Sequence, residues 1–342
     1  MITKKSHYTV AVIGATGAVG RESLEILEER KFPLGGLRLF ASKRSAGETL
    51  SCQGKDWTVE ELTPSSDFKG VDFAFISATD AISRDYGPRL GAAGVVVIDD
   101  SAVFRMDADV PLVVPEVNAH VLDKASRRII AIPNCTTTPL VMALKPLHDA
   151  VGIKRVVVTT FQSVSGTGAA AMDELIEQTK SLLTFKEVKA EVYPHQIAFN
   201  LLPQIGSFGE GGDCSEEVKI VRETQKILGE PNMRITATTV RVPVMRCHSE
   251  AVNVELERPL KPNDARSLLS AMPGVIVFDD PVRKLYPMPL DASGKDEVFV
   301  GRIREDQSVN NGLNLWVVSD NLRKGAALNA IQIAETLIAK AV

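Results

Sequence analysis

The chain has no long apolar run. Its strand-like stretches, such as Val95–Ile98 and Val156–Val158, fall far short of the roughly 20 residues a membrane span requires, so no membrane partner is expected. It also lacks an excess of positive charge. Its 39 lysines and arginines against 43 acids, dispersed along the chain, leave no basic footprint for nucleic acid and no polybasic tail. Residues 1–9 contain two lysines but no apolar core of a signal peptide. Cysteine is scarce: Cys52, Cys135, Cys214 and Cys247 are widely spaced, with no CxxC pair and no cysteine–histidine cluster. That pattern speaks against structural zinc, any other metal site and a disulfide framework, and points to a reduced, cytoplasmic setting. Internal repeats and low-complexity segments are absent too. What remains is 342 residues with 44% apolar content, enough for two ordinary globular domains.

One of the few cysteines is placed suggestively. The apolar run Arg128–Ile132 leads into Pro133-Asn134-Cys135-Thr136-Thr137, and a helical pattern follows. A thiol between a strand end and a helix N-terminus sits where the helix dipole favours its thiolate. Taken alone, such a residue is more often a small buried apolar group, so the rest of the chain has to decide.

The N-terminal part reads as a nucleotide-binding half. The β-branched run Tyr8–Ile13 ends at Gly14-Ala15-Thr16-Gly17-Ala18-Val19-Gly20, and a helical pattern follows over Arg21–Arg30. Strand, glycine turn and helix in that order let backbone N–H groups approach a pyrophosphate at the helix N-terminus. The spacing is GxxGxxG, not the GxGxxG of simple dehydrogenases. The next strand, Leu37–Ala41, should end beside the adenosine ribose, where NAD-specific proteins place an acid. Here the sequence is Ser42-Lys43-Arg44-Ser45, with cations and hydroxyls suited to a 2′-phosphate, so NADP is favoured. Further strands at Val71–Ile76 and Val95–Ile98, with a helix over Asp80–Ala92 between them, imply a parallel, doubly wound sheet. Asp100-Ser101-Ala102-Val103-Phe104-Arg105 follows on the cofactor edge, where Arg105 can meet an anion.

Beyond the helix expected over Thr138–Ala150 the pattern changes. A strand over Ile153–Thr160 is followed by the small-residue loop Gln162–Gly168 and a helix over Ala169–Leu183. Strands at Ile235–Val242, Glu250–Leu256, Glu297–Arg304 and Gly312–Ser319 indicate a second, mixed sheet. An amphipathic helix over Arg323–Ala341 is expected to pack back on the first domain. The fold class is therefore α/β: a Rossmann-like domain of residues 1–135 and 322–342, and an α+β catalytic and dimerisation domain of residues 136–321.

Two clusters in the second half carry chemistry. Glu216 and Lys219, three residues apart, share one face of a helix. Arg241 and His248, seven apart, face opposite sides of a regular strand and can share a ligand only across a bend, which Pro243 would mark. Cys247 adjoins His248 but in extended chain points away from it, which makes it a poor nucleophile.

Together these segments resemble the bacterial aspartate-semialdehyde dehydrogenase family along nearly the whole chain. The resemblance rests on Val12–Gly20, Ile132–Thr137, Tyr193–Asn200, Ser215–Lys219, Arg241–His248 and Gly312–Gly325 in that order and spacing. It implies NADPH-dependent reductive dephosphorylation of L-aspartyl 4-phosphate to L-aspartate 4-semialdehyde, toward lysine, methionine and threonine, by a homodimer or homotetramer. It also implies Cys135 as the acyl-enzyme nucleophile, His248 as acid/base and Gln162 as the residue orienting the substrate. Arg241 would grip the α-carboxylate and Glu216 the α-ammonium, with Arg105, Asn134 and Lys219 at the phosphate. Gly14, Thr16, Gly17, Ala18, Val19, Arg44, Ser45, Ser165, Gly166 and Asn321 would contact the cofactor. Asp100 departs from an asparagine-containing stretch in many relatives, and is expected to face away from the phosphate position.

The chemistry suits these residue types. A thiolate is a soft nucleophile for the carbon of an acyl phosphate, and an imidazole can manage the protons. Cations offset the charge of the departing phosphate. The rival readings are an N-acetyl-γ-glutamyl-phosphate reductase, a cysteine hydrolase using Cys135 and His248, and a non-catalytic paralogue.

Overall fold

The computed structural model describes residues 2–341, which divide into two compact units. The first runs to Asn134 and resumes at Ala326; the second is Cys135–Gly325. Cys135 therefore counts with the second unit, and Leu322–Gly325 do too.

The first unit is built on a seven-stranded sheet with order β3-β4-β2-β1-β5-β6-β7. Its strands are β1 (Tyr8–Ile13), β2 (Leu34–Ala41), β3 (Thr49–Cys52), β4 (Lys55–Glu61), β5 (Phe73–Ile76), β6 (Val96–Asp99) and β7 (Ile129–Ala131). All neighbouring pairs are parallel except β3–β4. The helices are α1 (Ala18–Glu29), α2 (Asp80–Ala92), the short α3 (Pro115–Asn118) and the C-terminal α9 (Leu328–Lys340). The buried runs of β1, β5 and β6 make the middle of the sheet, and Leu24, Ile26 and Leu27 of α1 pack with Ile331, Ala334 and Leu337 of α9 in one core. The expected parallel sheet is present. The antiparallel β3–β4 hairpin was not anticipated; it turns at Gln53-Gly54, both with positive φ (50° and 70°), the two-residue geometry whose twist matches paired strands.

The C-terminal helix begins later than its apolar stripe suggests. Residues Arg323–Ala327 form a wider π turn, in which the Gly325 N–H reaches back five residues to the Asp320 carbonyl (3.2 Å). The buried Asp320 carboxylate holds the start of this turn by accepting from the Leu322 N–H at 3.0 Å.

The second unit carries a six-stranded mixed sheet, order β11-β12-β13-β10-β8-β9. Its strands are β8 (Ile153–Gln162), β9 (Arg234–Arg241), β10 (His248–Leu256), β11 (Val275–Val277), β12 (Val298–Asp306) and β13 (Gly312–Ser319). The helices α4 (Thr137–Val151), α6 (Ser215–Leu228) and α7 (Pro262–Ala271) cover one face, while α5 (Ala169–Leu183) and the short α8 (Pro289–Ala292) lie in the connections. Strand periodicity decides which side chains face the helices: Val156, Val158, Thr160 and Gln162 of β8 are buried, and Val157, Thr159 and Phe161 between them are partly exposed.

Candidate active site

Three strand ends meet at one edge of the second sheet. Gln162 closes β8 and Arg241 closes the parallel β9, in register with each other. β10 runs antiparallel on the other side of β8, with Ser249 opposite Phe161, so His248 begins beside Gln162. Arg241 and His248 thus approach from strands flanking β8, and not across a bend within one strand. The segment between them crosses over the end of β8, with the Val164 and Ser165 N–H groups donating to the Val244 and Met245 carbonyls. A regular-strand reading missed this because it took the two residues as belonging to one strand.

The side chains at this edge are buried and joined. The Gln162 amide donates to Glu216 Oε1 (3.0 Å), and its Oε1 accepts from Thr160 (3.0 Å). Glu216, on the first turn of α6, also pairs with Lys219 (3.1 Å), one helical turn on. Arg241 is 5% exposed; its Nη1 donates to the Ser163 carbonyl (2.6 Å), and its Nε has no partner among the described residues. The Tyr193 ring lies 6.0 Å from the guanidinium, and its hydroxyl donates to Thr167. Gly166 leaves little room beside it: a Cβ there would lie 3.1 Å from Arg241 Nη1 and 3.2 Å from His248 Nε2, so either side chain would have to shift by a few tenths of an ångström.

His248 Nδ1 receives the Ser163 backbone N–H at 3.0 Å, and the Ser163 hydroxyl lies 3.1 Å away. Its Nε2 is buried with no partner among the described residues. Burial, then the neighbouring Arg241 charge, hold the imidazole's pKa down to about 3, so it is neutral at physiological pH. Behind it Asn321 Oδ1 accepts from the Cys247 N–H (3.0 Å) and from the hydroxyls of Ser163 and Ser165 (3.2 and 3.1 Å). Ser165 and Asn321 thus commit side-chain atoms to each other.

Cys135 stands half-buried just ahead of α4, and Gly325 packs against it so closely that a Cβ on the glycine would come within 2.9 Å of the Cys135 Cβ. The segment 320–325 therefore packs against the main chain and Cβ of Cys135 and, through Asn321, takes part in the imidazole support. The alternative sulfur, Cys247, is buried at a φ of 75°, and desolvation pushes its thiol pKa far up, as expected of a poor nucleophile. Ser163 and Thr160 are participants that the sequence reading did not single out; small hydroxyl residues in a loop or strand carry no distinguishing spacing.

In the first unit, the turn after β1 is closely packed on its own backbone. A Cβ on Gly14 (φ 91°) would lie 2.1 Å from the Ser77 carbonyl, and one on Gly20 would lie 2.3 Å from the Gly14 carbonyl. These glycines let strand ends and helix approach closely. Gly17 caps α1 without any side-chain hydrogen bond, and the first turn, containing Ala18 and Val19, has no acid. The residues fit a pyrophosphate. Arg44 is exposed after β2, and Ser45 is buried, its hydroxyl accepting from Thr16 at 3.3 Å. Asn134 is buried.

Arg105 is also buried and donates to the Asp100 carbonyl (2.7 Å), with the Asp100 carboxylate 3.9 Å away. This corrects the expectation for Asp100: its carboxylate accompanies Arg105, because the tight turn after β6 that brings the guanidinium onto the Asp100 carbonyl keeps the side chain close. The inward acid of that stretch is Asp99, fully buried and bound to the Ser101 N–H (3.0 Å) and hydroxyl. A hollow of about 530 Å³ along α5, lined by Asp173, Glu174, Glu177 and Glu191, contains none of these groups and is too acidic for a phosphorylated ligand.

Among the described residues no helix is long and apolar enough to cross a membrane. Residues 9–125 match the family model of the semialdehyde dehydrogenase NAD binding domain, and residues 144–324 that of the semialdehyde dehydrogenase dimerisation domain. An aspartate-semialdehyde dehydrogenase of Aquifex aeolicus is 53% identical, over 97% of this chain and 98% of its own. One from Legionella pneumophila is 50% identical over 97% and 96%. The crystal structure of aspartate semialdehyde dehydrogenase II complexed with ASA from Vibrio cholerae matches with a TM-score of 0.95 at 46% identity, covering 98% of this chain and 99% of that one. The chain belongs to the aspartate-semialdehyde dehydrogenase family, NAD(P)-binding oxidoreductases built from a nucleotide-binding and a dimerisation domain.

Proposed function

We propose that the protein catalyses the NADPH-dependent reductive dephosphorylation of L-aspartyl 4-phosphate to L-aspartate 4-semialdehyde, through an acyl-thioester on Cys135. The observation that carries this reading is that a buried guanidinium, Arg241 at the end of β9, and a buried carboxylate, Glu216 on α6, both stand about Gln162, which is in register with the first and hydrogen-bonded to the second. Opposite charges held there suit a substrate that is zwitterionic at its far end. Arg241 takes the α-carboxylate and Glu216 the α-ammonium, while Gln162, anchored on Glu216, sets the distance to the reacting carbon. Arg105, Asn134 and Lys219 receive the phosphate, with the Asp100 carboxylate moderating the charge at Arg105. His248 is the acid/base partner of the tetrahedral steps. When bound, the cofactor supplies the hydride that reduces the thioester. The absence of an acid after β2, with Arg44 and Ser45 in its place, favours NADP over NAD. The first unit serves as the nucleotide-binding domain, with Gly14, Thr16–Val19, Arg44 and Ser45 as its cofactor contacts; in the second unit the resemblance gives that role to Ser165, Gly166 and Asn321. The second unit associates in a homodimer or homotetramer, in the cytoplasm.

Purified protein given L-aspartate 4-semialdehyde, phosphate and NADP is expected to form the reduced cofactor, read at its near-ultraviolet absorbance. Cys135→Ser is expected to abolish turnover while still binding NADPH. Turnover of N-acetylglutamate semialdehyde in place of the aspartate aldehyde would overturn the substrate assignment, since an acetylated amine offers Glu216 no charge.

A further inference from the structure

The stretch 184–214 joins α5 to α6 with no helix, and with no strand beyond isolated bridges. Its buried backbone N–H groups therefore need acceptors from outside it. Two side chains on the buried face of α5, Glu174 and Gln178, supply them from positions one helical turn apart. The Glu174 carboxylate accepts from the N–H groups of Glu191 (2.7 Å), Val192 and Tyr193 (3.4 Å). The Gln178 carbonyl oxygen accepts from those of Ile197 (2.9 Å) and Ala198 (3.0 Å). Its amide donates to Glu174 (3.2 Å) and to the Lys189 carbonyl (2.8 Å), so every hydrogen-bonding position of the glutamine is filled. Ala171 and Leu175, on the same helix face, pack in one core with Ile197 and Ala198. The stretch fastened in this way meets Arg241 twice. Leu202 exchanges both main-chain hydrogen bonds with it (3.0 and 2.8 Å). The Tyr193 ring lies against the guanidinium, 6.0 Å from its carbon, and the Tyr193 hydroxyl donates to Thr167 (2.9 Å).

We infer that Glu174 and Gln178 are positioning residues that hold Tyr193 as a cap on Arg241, and that this cap sets the affinity for the carboxylate at the far end of the substrate. This deepens the proposed function and rests on it for the identity of the ligand that Arg241 receives. An aromatic face attracts a guanidinium and keeps water from one side of it, which strengthens its grip on an anion. The polar tether at Thr167 and the apolar packing of the loop fix where that face lies. Since the guanidinium is remote from the reacting carbon, the cap governs binding and leaves the chemical steps alone. Glu174 and Gln178 touch neither Arg241 nor the substrate; they act through the backbone of the loop.

Tyr193→Ala is expected to raise KM for L-aspartate 4-semialdehyde about 3- to 30-fold, the range of a cation–π contact, with kcat within about twofold. Tyr193→Phe keeps the ring and should bring KM back near the parent's. Glu174→Ala should raise KM as Tyr193→Ala does, and the double variant should add nothing, because both changes remove one cap. An unchanged KM in Tyr193→Ala, a phenylalanine variant as impaired as the alanine one, or additive losses would overturn the inference. The clamp itself is read without turnover, by hydrogen–deuterium exchange of the full-length protein. Glu174→Ala is expected to speed exchange at residues 191–193. Gln178→Leu, which keeps the bulk, is expected to do so at Ile197 and Ala198, while Tyr193→Ala leaves both groups protected. Parent-like exchange in both α5 variants would refute the clamp. An inactive protein whose amides respond in this way would sink the substrate assignment and leave the clamp standing.

Discussion

Glu250 lies two residues along β10 from His248, on the same face, and neither of its oxygens has a partner among the described residues. Burial alone raises its carboxyl pKa well above the ordinary range, so the folded protein holds it neutral. The unfolded chain ionises it above about pH 4.5. Folding is therefore weakened as pH rises beyond that value, until the folded group ionises as well. Glu250→Gln removes this titration. The variant is expected to gain stability over the parent with rising pH, by up to about 1.4 kcal/mol per pH unit, in urea midpoints taken from pH 4.5 to 8. Parallel profiles would show that the carboxyl is already ionised in the fold. His248 acts with the opposite sign and should be unaffected: below 6.5 the unfolded chain takes a proton the folded imidazole refuses, so stability falls toward about pH 3 in both proteins. Neither Glu250 nor Ser163 stood out in the sequence. One occupies an inward strand position normally read as apolar, and the other acts through its main chain, which every residue has. Cys135, Arg241 and Glu216 drew notice because side-chain charge or nucleophilicity at a recognisable spacing is what sequence records, while the roles proposed for them come from the resemblance.

Helix α6 shows how an element carries a site residue. Its first-turn Glu217 accepts from the Cys214 N–H at its own N-terminus (2.7 Å) and from the Thr239 N–H of β9 (3.0 Å). One carboxylate both caps the helix and pins it to the strand that ends in Arg241. Glu217→Ala leaves two backbone donors short of an acceptor, and a loss of about 1–3 kcal/mol is expected by chemical denaturation. Because Glu216 precedes it on the same turn, KM for the aldehyde should rise with little change in kcat; an unaltered KM would mean that the helix holds Glu216 without this cap. Elements of this length were readable from periodicity, and Tyr8–Ile13, Asp80–Ala92, Ala169–Leu183 and Gly312–Ser319 have the extents expected. The failures lie where backbone geometry departs from the repeating period. The β3–β4 hairpin depends on two left-handed turn residues, and the start of α9 on a π turn held by Asp320. The crossover that brings His248 to Arg241 depends on strand order, which no local pattern encodes.

At the scale of the molecule, the second sheet covers one face with helices and leaves the other uneven in polarity. Thr159, Ala251 and Trp316 lie in one cross-strand row of that outer face, with the Phe161 ring tilted against that of Trp316, centroids 5.6 Å apart. Ala251 is exposed there between partly exposed neighbours. A partly exposed sheet face of small and aromatic residues suits association with a second copy. Ala251→Arg, which plants an unpaired charge in the row, is expected to shift the proposed dimer to monomers in sedimentation equilibrium; an unchanged mass would move the interface elsewhere. The distribution of sulfur over the whole chain has a practical consequence. Cys52, Cys214 and Cys247 are buried, and Cys135 alone among the four cysteines is partly exposed. Each polypeptide therefore presents one addressable thiol, so a thiol-specific reagent counts competent centres one for one, and a thiol-directed inhibitor faces no competing thiol on the surface of its own target.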